Sequence, residues 1–329
     1  MSGLASGSLC TGFAGLDMGV SDALGTRLIW CSEFEPSSLK TPKPTQGAAR
    51  ILAHRFPDVP NLGDMRAINW GSQAEVEVTA VGYPCFTADS LVLTIEGYRP
   101  ISTLEVGTLV LTHLGRWRPI NKVMRRMTGE TVLVSAQGSP KIHATPEHPF
   151  LIESGEWADA KTLGGQRIVQ ILPEQGSPID GSDAYWWMVG RYLADGYCQD
   201  RKGRENAGRV TFCIGKHKLQ PVLDQVEMAG FHAYVSEERT AYKLAFTRND
   251  FYRNMKIFGR GASEKDIPGH IVASLSTDQA ESLLSGYLAG DGCYKPKNGW
   301  EAGTTSKALA YSLALVAQKA RRVVCSVVV

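Results

Sequence analysis

Several things are scarce in this 329-residue sequence, and each scarcity removes a class of protein. Excess charge is one: 35 Lys and Arg against 33 Asp and Glu leave +2, so any nucleic-acid surface has to be local. Long apolar runs are another. Nothing approaches the roughly 20 apolar residues of a helical membrane span, and the closing Val323–Val329 stretch is too short for an anchor. The N-terminus lacks a basic-then-apolar leader. Seven cysteines, at 10, 31, 85, 198, 213, 293 and 325, include no CxxC pair and no Cys/His cluster of zinc spacing. An odd, dispersed set implies free thiols in a reducing, cytoplasmic setting with no membrane partner. What remains, 43% hydrophobic and 21% charged, is ordinary globular composition at a length that suits two or three domains.

The first 84 residues read as an α/β segment. A strand over Gly7–Cys10 runs into the turn Thr11-Gly12-Phe13-Ala14-Gly15, whose glycines let backbone N–H groups approach a cofactor, and a helix opens there. A second strand, Arg27–Cys31, ends at Ser32-Glu33-Phe34-Glu35. An acid about 20 residues after a glycine turn is placed to accept ribose hydroxyls, as in doubly wound folds. A helix through Gly47–Phe56 follows, then Asn61-Leu62-Gly63-Asp64-Met65, where a strand end delivers a third acid. Val78–Pro84 reads as a buried strand.

In that order these features resemble the N-terminal motifs of DNA cytosine-5 methyltransferases. The resemblance implies an incomplete Rossmann-like segment that binds S-adenosylmethionine. Gly12, Phe13 and Gly15 would line the pocket, Glu33 would hold the ribose and Phe34 would stack on adenine. Asp64 and Met65 would contact the adenine edge. The family's catalytic loop reads Gly, then Pro or Phe, then Pro-Cys-Gln, and its cysteine attacks a flipped-out cytosine. Here the run is Gly82-Tyr83-Pro84-Cys85-Phe86, and the family's catalytic glutamate and target-recognition region are absent. No DNA methylation is therefore expected from this chain.

At Cys85 the sequence changes character. Short β-rich runs follow at Leu91–Thr94, Gly107–Thr112 and Thr131–Val134, punctuated by glycine and proline, as in an all-β fold with tight turns. A thiol at residue 85 can attack the preceding carbonyl and turn the Pro84–Cys85 amide into a thioester. That step is uphill unless the amide is twisted and the leaving nitrogen protonated, and imidazole suits that proton near neutral pH. Thr145-Pro146-Glu147-His148 supplies a hydroxyl and an imidazole three residues apart. The opening Cys-Phe-Thr-Ala-Asp-Ser, the later Thr-x-x-His-Pro-Phe and the stretch from Trp157 to Gly164 resemble inteins of the Hint fold. That resemblance implies Cys85 as the N-terminal splice nucleophile, with Thr145 and His148 activating its peptide bond. His113 and His143 have no such company and read as ordinary residues.

Further on, one pattern occurs twice: Met188–Gly196 and Leu284–Gly292, each apolar, studded with small residues and ending in Asp-Gly. The aspartates, 195 and 291, lie 96 residues apart, the mark of an internal duplication. Gly190 with Ala194, and Gly286 with Gly290, share one helix face and let two backbones approach. The terminal acids then meet, and their repulsion calls for divalent cations, for which magnesium with its oxygen preference fits. Strands over 209–214, 232–235 and 241–246, with helices over 220–228 and 250–258, should form a saddle-shaped sheet after the first motif. Arg201, Lys202, Arg204, Lys216, Lys218, Lys295 and Lys297 lie beyond the acids, where they would track phosphates. The pair, with Lys265-Asp266-Ile267-Pro268 before the second motif, resembles the LAGLIDADG (dodecapeptide) homing endonucleases. The resemblance implies Asp195 and Asp291 as metal-binding catalytic acids, with Lys243 and Lys307 as candidate supporting bases.

After the helix at 305–320 the pattern breaks, and the His-Asn ending of an intein is absent. The expectation is a truncation or frameshift near residue 321, or a split gene whose separate C-terminal intein/methyltransferase fragment is a partner. The expected architecture is therefore multidomain: a methyltransferase segment over 1–84, an all-β Hint splicing module over 85–175, and an α/β endonuclease with a pseudo-twofold duplication over 180–329. Its expected chemistry is a Cys-initiated N–S acyl shift and Mg²⁺-dependent cleavage of double-stranded DNA. The alternative is a catalytically inert fusion that only binds S-adenosylmethionine and DNA.

Overall fold

A computed structural model describes residues 3–11, 14–33, 48–65, 67–81, 85–125, 130–204 and 206–328. The chain divides into two compact units, Met1–Cys85 and Phe86–Val329. Gly12, Phe13, Phe34 and the Gly82-Tyr83-Pro84 run fall outside the described residues.

The first unit alternates strand and helix: β1 (Ala5–Leu9), α1 (Gly15–Leu24), β2 (Arg27–Ser32), α2 (Ala48–Arg55) and β3 (Val78–Val81). Strand β1 lies between β2 and β3, and both pairings are parallel. Asn61 adds a parallel bridge to Cys31, so the third predicted strand end is a single bridge beside β2. Gly7 in β1 is glycine for a local reason: a Cβ there would enter the Trp30 indole. Ala14, Cys31 and Leu52 form a small core with Leu28, Phe56 and Val59 around it. The three described strands of this unit thus form a parallel sheet in the order β2-β1-β3.

The second unit begins with short antiparallel strands. Strands β4 (Leu91–Thr94), β5 (Gly97–Pro100), β6 (Leu109–Leu111) and β7 (Trp117–Pro119) form one sheet in the order β5-β4-β6-β7. Two hairpins follow, β8 (Val132–Val134) with β9 (Ile142–Ala144) and β10 (Pro149–Leu151) with β11 (Trp157–Asp159). They enclose a core of Val134, Ala144, Ala160 and Leu163.

The helical part runs α3 (Asp183–Asp195), β12 (Gly196–Asp200), β13 (Gly208–Gly215), α4 (Leu219–Met228), β14 (Tyr234–Glu237), β15 (Ala241–Phe246) and α5 (Asn249–Lys256). It continues with α6 (Gly269–Ser274), α7 (Thr277–Asp291), β16 (Gly292–Lys295), β17 (Gly299–Ala302) and α8 (Lys307–Arg321). Helix starts are set by side-chain caps. Ser182 and Ser306 accept from backbone N–H groups three residues on, and Ser276 with Gln279 completes a capping box. After α3 the antiparallel sheet is β12-β13-β15-β14, and after α7 there is a two-stranded ribbon, β16-β17.

The sheet of β4 to β7 and the helices share one hydrophobic core. Leu93 and Tyr98 belong to the same buried cluster as Met188, Tyr192, Phe212 and Leu315. Asp266, 7% exposed, knits that junction. It accepts from the Tyr98 backbone N–H at 3.0 Å, the Ile267 N–H at 2.8 Å and Ser312 Oγ at 2.5 Å, with Arg99 Nη1 at 3.4 Å. Among the described residues no helix is long and apolar enough to cross a membrane.

Candidate functional site

The two duplicated helices, α3 and α7, cross at their small residues. A Cβ on Gly190 would overlap the Leu283 carbonyl oxygen, and one on Gly286 would overlap that of Trp187. Each glycine is thus seated against the partner helix's backbone, so the two helices end together. Asp195 and Asp291 terminate them close enough for each carboxylate to feel the other's surroundings. Burial pushes both acids above the usual carboxylate range, and for Asp291 the neighbouring Asp195 charge pushes further.

Three cations oppose that push. Arg191 Nη2 lies 2.5 Å from Asp195 Oδ2. Lys265 Nζ donates to the carbonyls of Leu193 and Ala194 at 2.9 and 3.3 Å, and Lys218 Nζ to those of Ala289 and Gly290 at 2.9 Å each. Each lysine therefore sits at a helix C-terminus, where a positive charge complements the helix dipole. Lys265 is 3% exposed, and burial lowers its pKa to about 8 although both aspartates raise it. Thus the protein supplies positive charge of its own to the acid pair, beyond the cation that acid repulsion alone suggests. An open cleft of about 500 Å³ begins here, lined by Leu193, Lys265, Asp291 and Thr304 among others.

The donor set suits a hard divalent ion. Magnesium binds through one or two carboxylates and keeps several waters, so Asp291 on the cleft with Asp195 next to it suffices. Among the described residues there is no group of three His, Cys, Asp or Glu placed to hold a metal. Of the two expected supporting lysines, one is engaged elsewhere. Lys243 pairs with Glu238 at 2.9 Å, and Lys307 is exposed at the start of α8. Lys265 and Arg191 are site residues that sequence reasoning misses; the available signals are the Lys265-Asp266-Ile267-Pro268 run and a basic residue inside the first repeat. Of the expected phosphate-tracking cations, Lys216 and Lys295 pair with Glu237 and Glu301, while Arg201, Lys202 and Arg204 are exposed beyond β12.

In the β part of this unit, the segment after residue 85 is held against β9. Phe86 forms an antiparallel bridge with Ala144, and the Thr87 N–H donates to the His143 carbonyl at 2.9 Å. Thr145 is 1% exposed, and its carbonyl accepts from the His148 N–H at 3.0 Å. The His148 ring lies 3.9 Å from the Phe86 ring, centroid to centroid. Thr145 and His148 are therefore brought to one place, beside Phe86. His113 and His143 are exposed.

In the first unit, Cys85 is half-buried and in no disulfide. Glu33 follows the carboxyl end of β2, and Asp64 lies in the loop after the Asn61 bridge. Asn61 Oδ1 accepts from the Glu33 N–H at 2.9 Å and the Gly63 N–H at 3.1 Å, and Ser32 Oγ donates to the Gly63 carbonyl at 2.8 Å. Those bonds clamp the 61–65 loop to the end of β2, and Met65 Sδ lies 4.0 Å from Cys10 Sγ. Gly15 opens α1 at the end of the turn that follows β1.

Comparison with known proteins gives three findings. Residues 84–160 match the Hint domain family. A stretch of 148 residues is 27% identical to an ATP-dependent DNA helicase Hel308 from Thermococcus kodakarensis, covering 44% of this chain and 11% of the helicase. The chain thus spans about a tenth of the length of the curated relative it matches. Among solved structures, the gp41-1 intein is similar over 27% of this chain and 77% of its own, at 18% identity and a TM-score of 0.23. The homing endonuclease I-DmoI in complex with DNA and Mn is similar over 41% of this chain and 76% of its own, at 14% identity and a TM-score of 0.31.

Proposed function

We propose that this chain joins an interrupted DNA cytosine-5 methyltransferase segment to an intein that carries a homing endonuclease. The observation that carries the endonuclease reading is the duplicated helix pair, whose glycine-to-backbone packing ends Asp291 on an open cleft with Asp195 beside it against Gly290. Asp195 and Asp291 would hold a divalent ion, magnesium by their oxygen chemistry, and such an ion supplies charge neutralisation at a phosphate and a more acidic water. Lys265, at the same cleft, contributes positive charge beside the reacting phosphate. The exposed basic turn Arg201, Lys202, Arg204 suits backbone contacts to double-stranded DNA.

The test uses a plasmid carrying the uninterrupted methyltransferase gene, incubated with the purified protein and magnesium. Wild type is expected to linearise it, and Asp195→Asn plus Asp291→Asn to abolish cutting. Linear product that survives the double substitution would remove these acids from the mechanism.

For the Hint part, the reading is an acyl shift at the Pro84–Cys85 bond: the Cys85 thiol attacks the carbonyl before it, and Thr145 and His148 act on that peptide. Its support is the family match over 84–160 together with the placement of Thr145 and His148 beside Phe86. Excess thiol should release a piece of about 84 residues, as thioesters allow. Release that persists in Cys85→Ala would indicate proteolysis instead. For the first unit the reading is an S-adenosylmethionine half-site. Glu33 would hold the ribose, and Asp64 with Met65 the adenine edge, at the crevice where open α/β sheets bind nucleotides. Gly12, Phe13 and Phe34 complete it by resemblance.

A further inference from the structure

One charge in the acid pair has no counterpart in the other repeat. Arg191 follows Gly190 on α3, whereas the residue 96 positions later on α7 is Tyr287, which is neutral and donates to the Gly303 carbonyl at 2.8 Å. Arg191 is 1% exposed. Its Nη2 holds Asp195 Oδ2 at 2.5 Å, while Nε and Nη1 are buried without a hydrogen-bond partner. The guanidinium fits because residue 290 is glycine, where a Cβ would stand 2.6 Å from Nη1. Burying a cation with unsatisfied N–H groups is unfavourable, so its place beside two carboxylates needs a charge-based reason. The other cations facing the pair, Lys265 and Lys218, direct their hydrogen bonds to helix-end carbonyls.

We propose that Arg191 is the resident counter-ion of the acid pair: it holds Asp195 beside Asp291 when no divalent ion is bound, and it releases Asp195 Oδ2 when one enters. This rests on the reading of Asp195 and Asp291 as a divalent-ion site. Arg191 is then a positioning residue, and its competition makes the Asp195 side bind an ion more weakly than the Asp291 side. The two ends of the repeat would fill in order, Asp291 first.

The test is Mn²⁺ binding to the full chain without DNA, read as free Mn²⁺ by electron paramagnetic resonance, for wild type, Arg191→Met and Arg191→Lys. Removing one charge this close to the ligand oxygens should tighten Mn²⁺ binding at least about tenfold in R191M. R191K should stay within about twofold of wild type, because it keeps the charge. A folded R191M that binds Mn²⁺ no more tightly than wild type overturns the proposal. If R191M fails to fold, the Arg191 Nε–H resonance of wild type decides. It should shift as Mg²⁺ saturates the site, and a resonance that stays in place refutes release. Mn²⁺ binding that needs both acids but ignores Arg191 defeats this inference alone. Binding unchanged in D195N plus D291N defeats the divalent-ion reading and this inference with it.

Discussion

The two repeats in the second unit start alike and diverge within four residues. Both helices end in Asp-Gly and run straight into a strand, and both glycines at the crossing touch the other helix's backbone. Past that point, β12 enters a four-stranded sheet covered by α4 and α5, whereas β16 pairs with β17 in a two-stranded ribbon. The same register position shows the contrast. Cys198 pairs with Val210, which is fully buried, while 96 residues on Tyr294 pairs with Trp300 at 60% and 49% exposure. The charge differs too: the first repeat carries buried Arg191 where the second carries Tyr287. Symmetry is kept where the helices must approach and where the acids must meet. It is dropped in the sheets, where each half solves its own burial problem.

The largest effect should come from the shared feature. Gly190→Val and Gly286→Val each force a branched side chain into a partner backbone that cannot move alone, at a cost of about 3 kcal/mol in each case. Urea unfolding midpoints check this, and a large effect in one helix with a small one in the other would break the symmetry of the crossing. A smaller effect of about 2 kcal/mol follows from Lys265. Its folded pKa, about 8, lies below the unfolded value near 10.4, so between those pH values the unfolded chain binds a proton that the native chain does not. Native stability should therefore rise with pH across that window, and Lys265→Met should remove the slope. Denaturation midpoints of both proteins from pH 7 to pH 10 test the sign.

Much of this arrangement was readable from the sequence, and the rest had identifiable reasons to stay hidden. The helix crossing was legible because small residues four apart leave one physical use when they occur twice. Strands β13 and β15 and helices α4 and α5 lie within a few residues of the expected runs, since their periodicity is strong. The sheet after the second repeat was not legible as a ribbon. Tyr294 and Trp300 are strand formers in either setting, and sequence does not say whether a neighbour covers them. Lys265 belongs to the Lys-Asp-Ile-Pro motif, yet no local pattern places it in the site, because its position depends on a contact 72 residues back, at the Leu193 carbonyl. Lys243 is a candidate supporting base by the resemblance alone, and Glu238 on the adjoining turn pairs with it. The junction of the β4 to β7 sheet with α8 through Asp266 likewise joins segments 168 residues apart, from Tyr98 to Asp266, which no local pattern announces.

The contrast in the sheets makes a third prediction. Val210→Ala empties space in a closed core and should cost about 1.5 kcal/mol, whereas Trp300→Ala removes half-solvated surface and should cost under about 0.5 kcal/mol despite deleting far more atoms. Thermal melts of the two variants measure the difference. Equal losses would mean that the ribbon's aromatic face is covered in solution, and would erase the distinction drawn between the halves.

The smallest effect separates the acids themselves. Asp291 is held above the usual carboxylate range by burial and by the Asp195 charge, so its ionisation is a cost to the metal-free fold. A raised carboxyl pKa contributes stability below the unfolded value of about 3.9, and that contribution is lost as pH rises through the folded value. Asp291→Asn removes the charge and should stabilise the metal-free protein at pH 7, by only about 0.5 kcal/mol, because the carboxylate is desolvated on its helix side yet opens on the cleft, where solvent screens it. The gain should shrink as pH falls from 7, because wild type is then itself increasingly protonated. Asp195→Asn should behave oppositely at pH 7, because it takes the charged partner from a guanidinium that is 1% exposed. Melting both variants in a chelator across that pH range tests the pair together. If the two substitutions shift stability in the same direction, the acids are equivalent and Arg191 does not distinguish them.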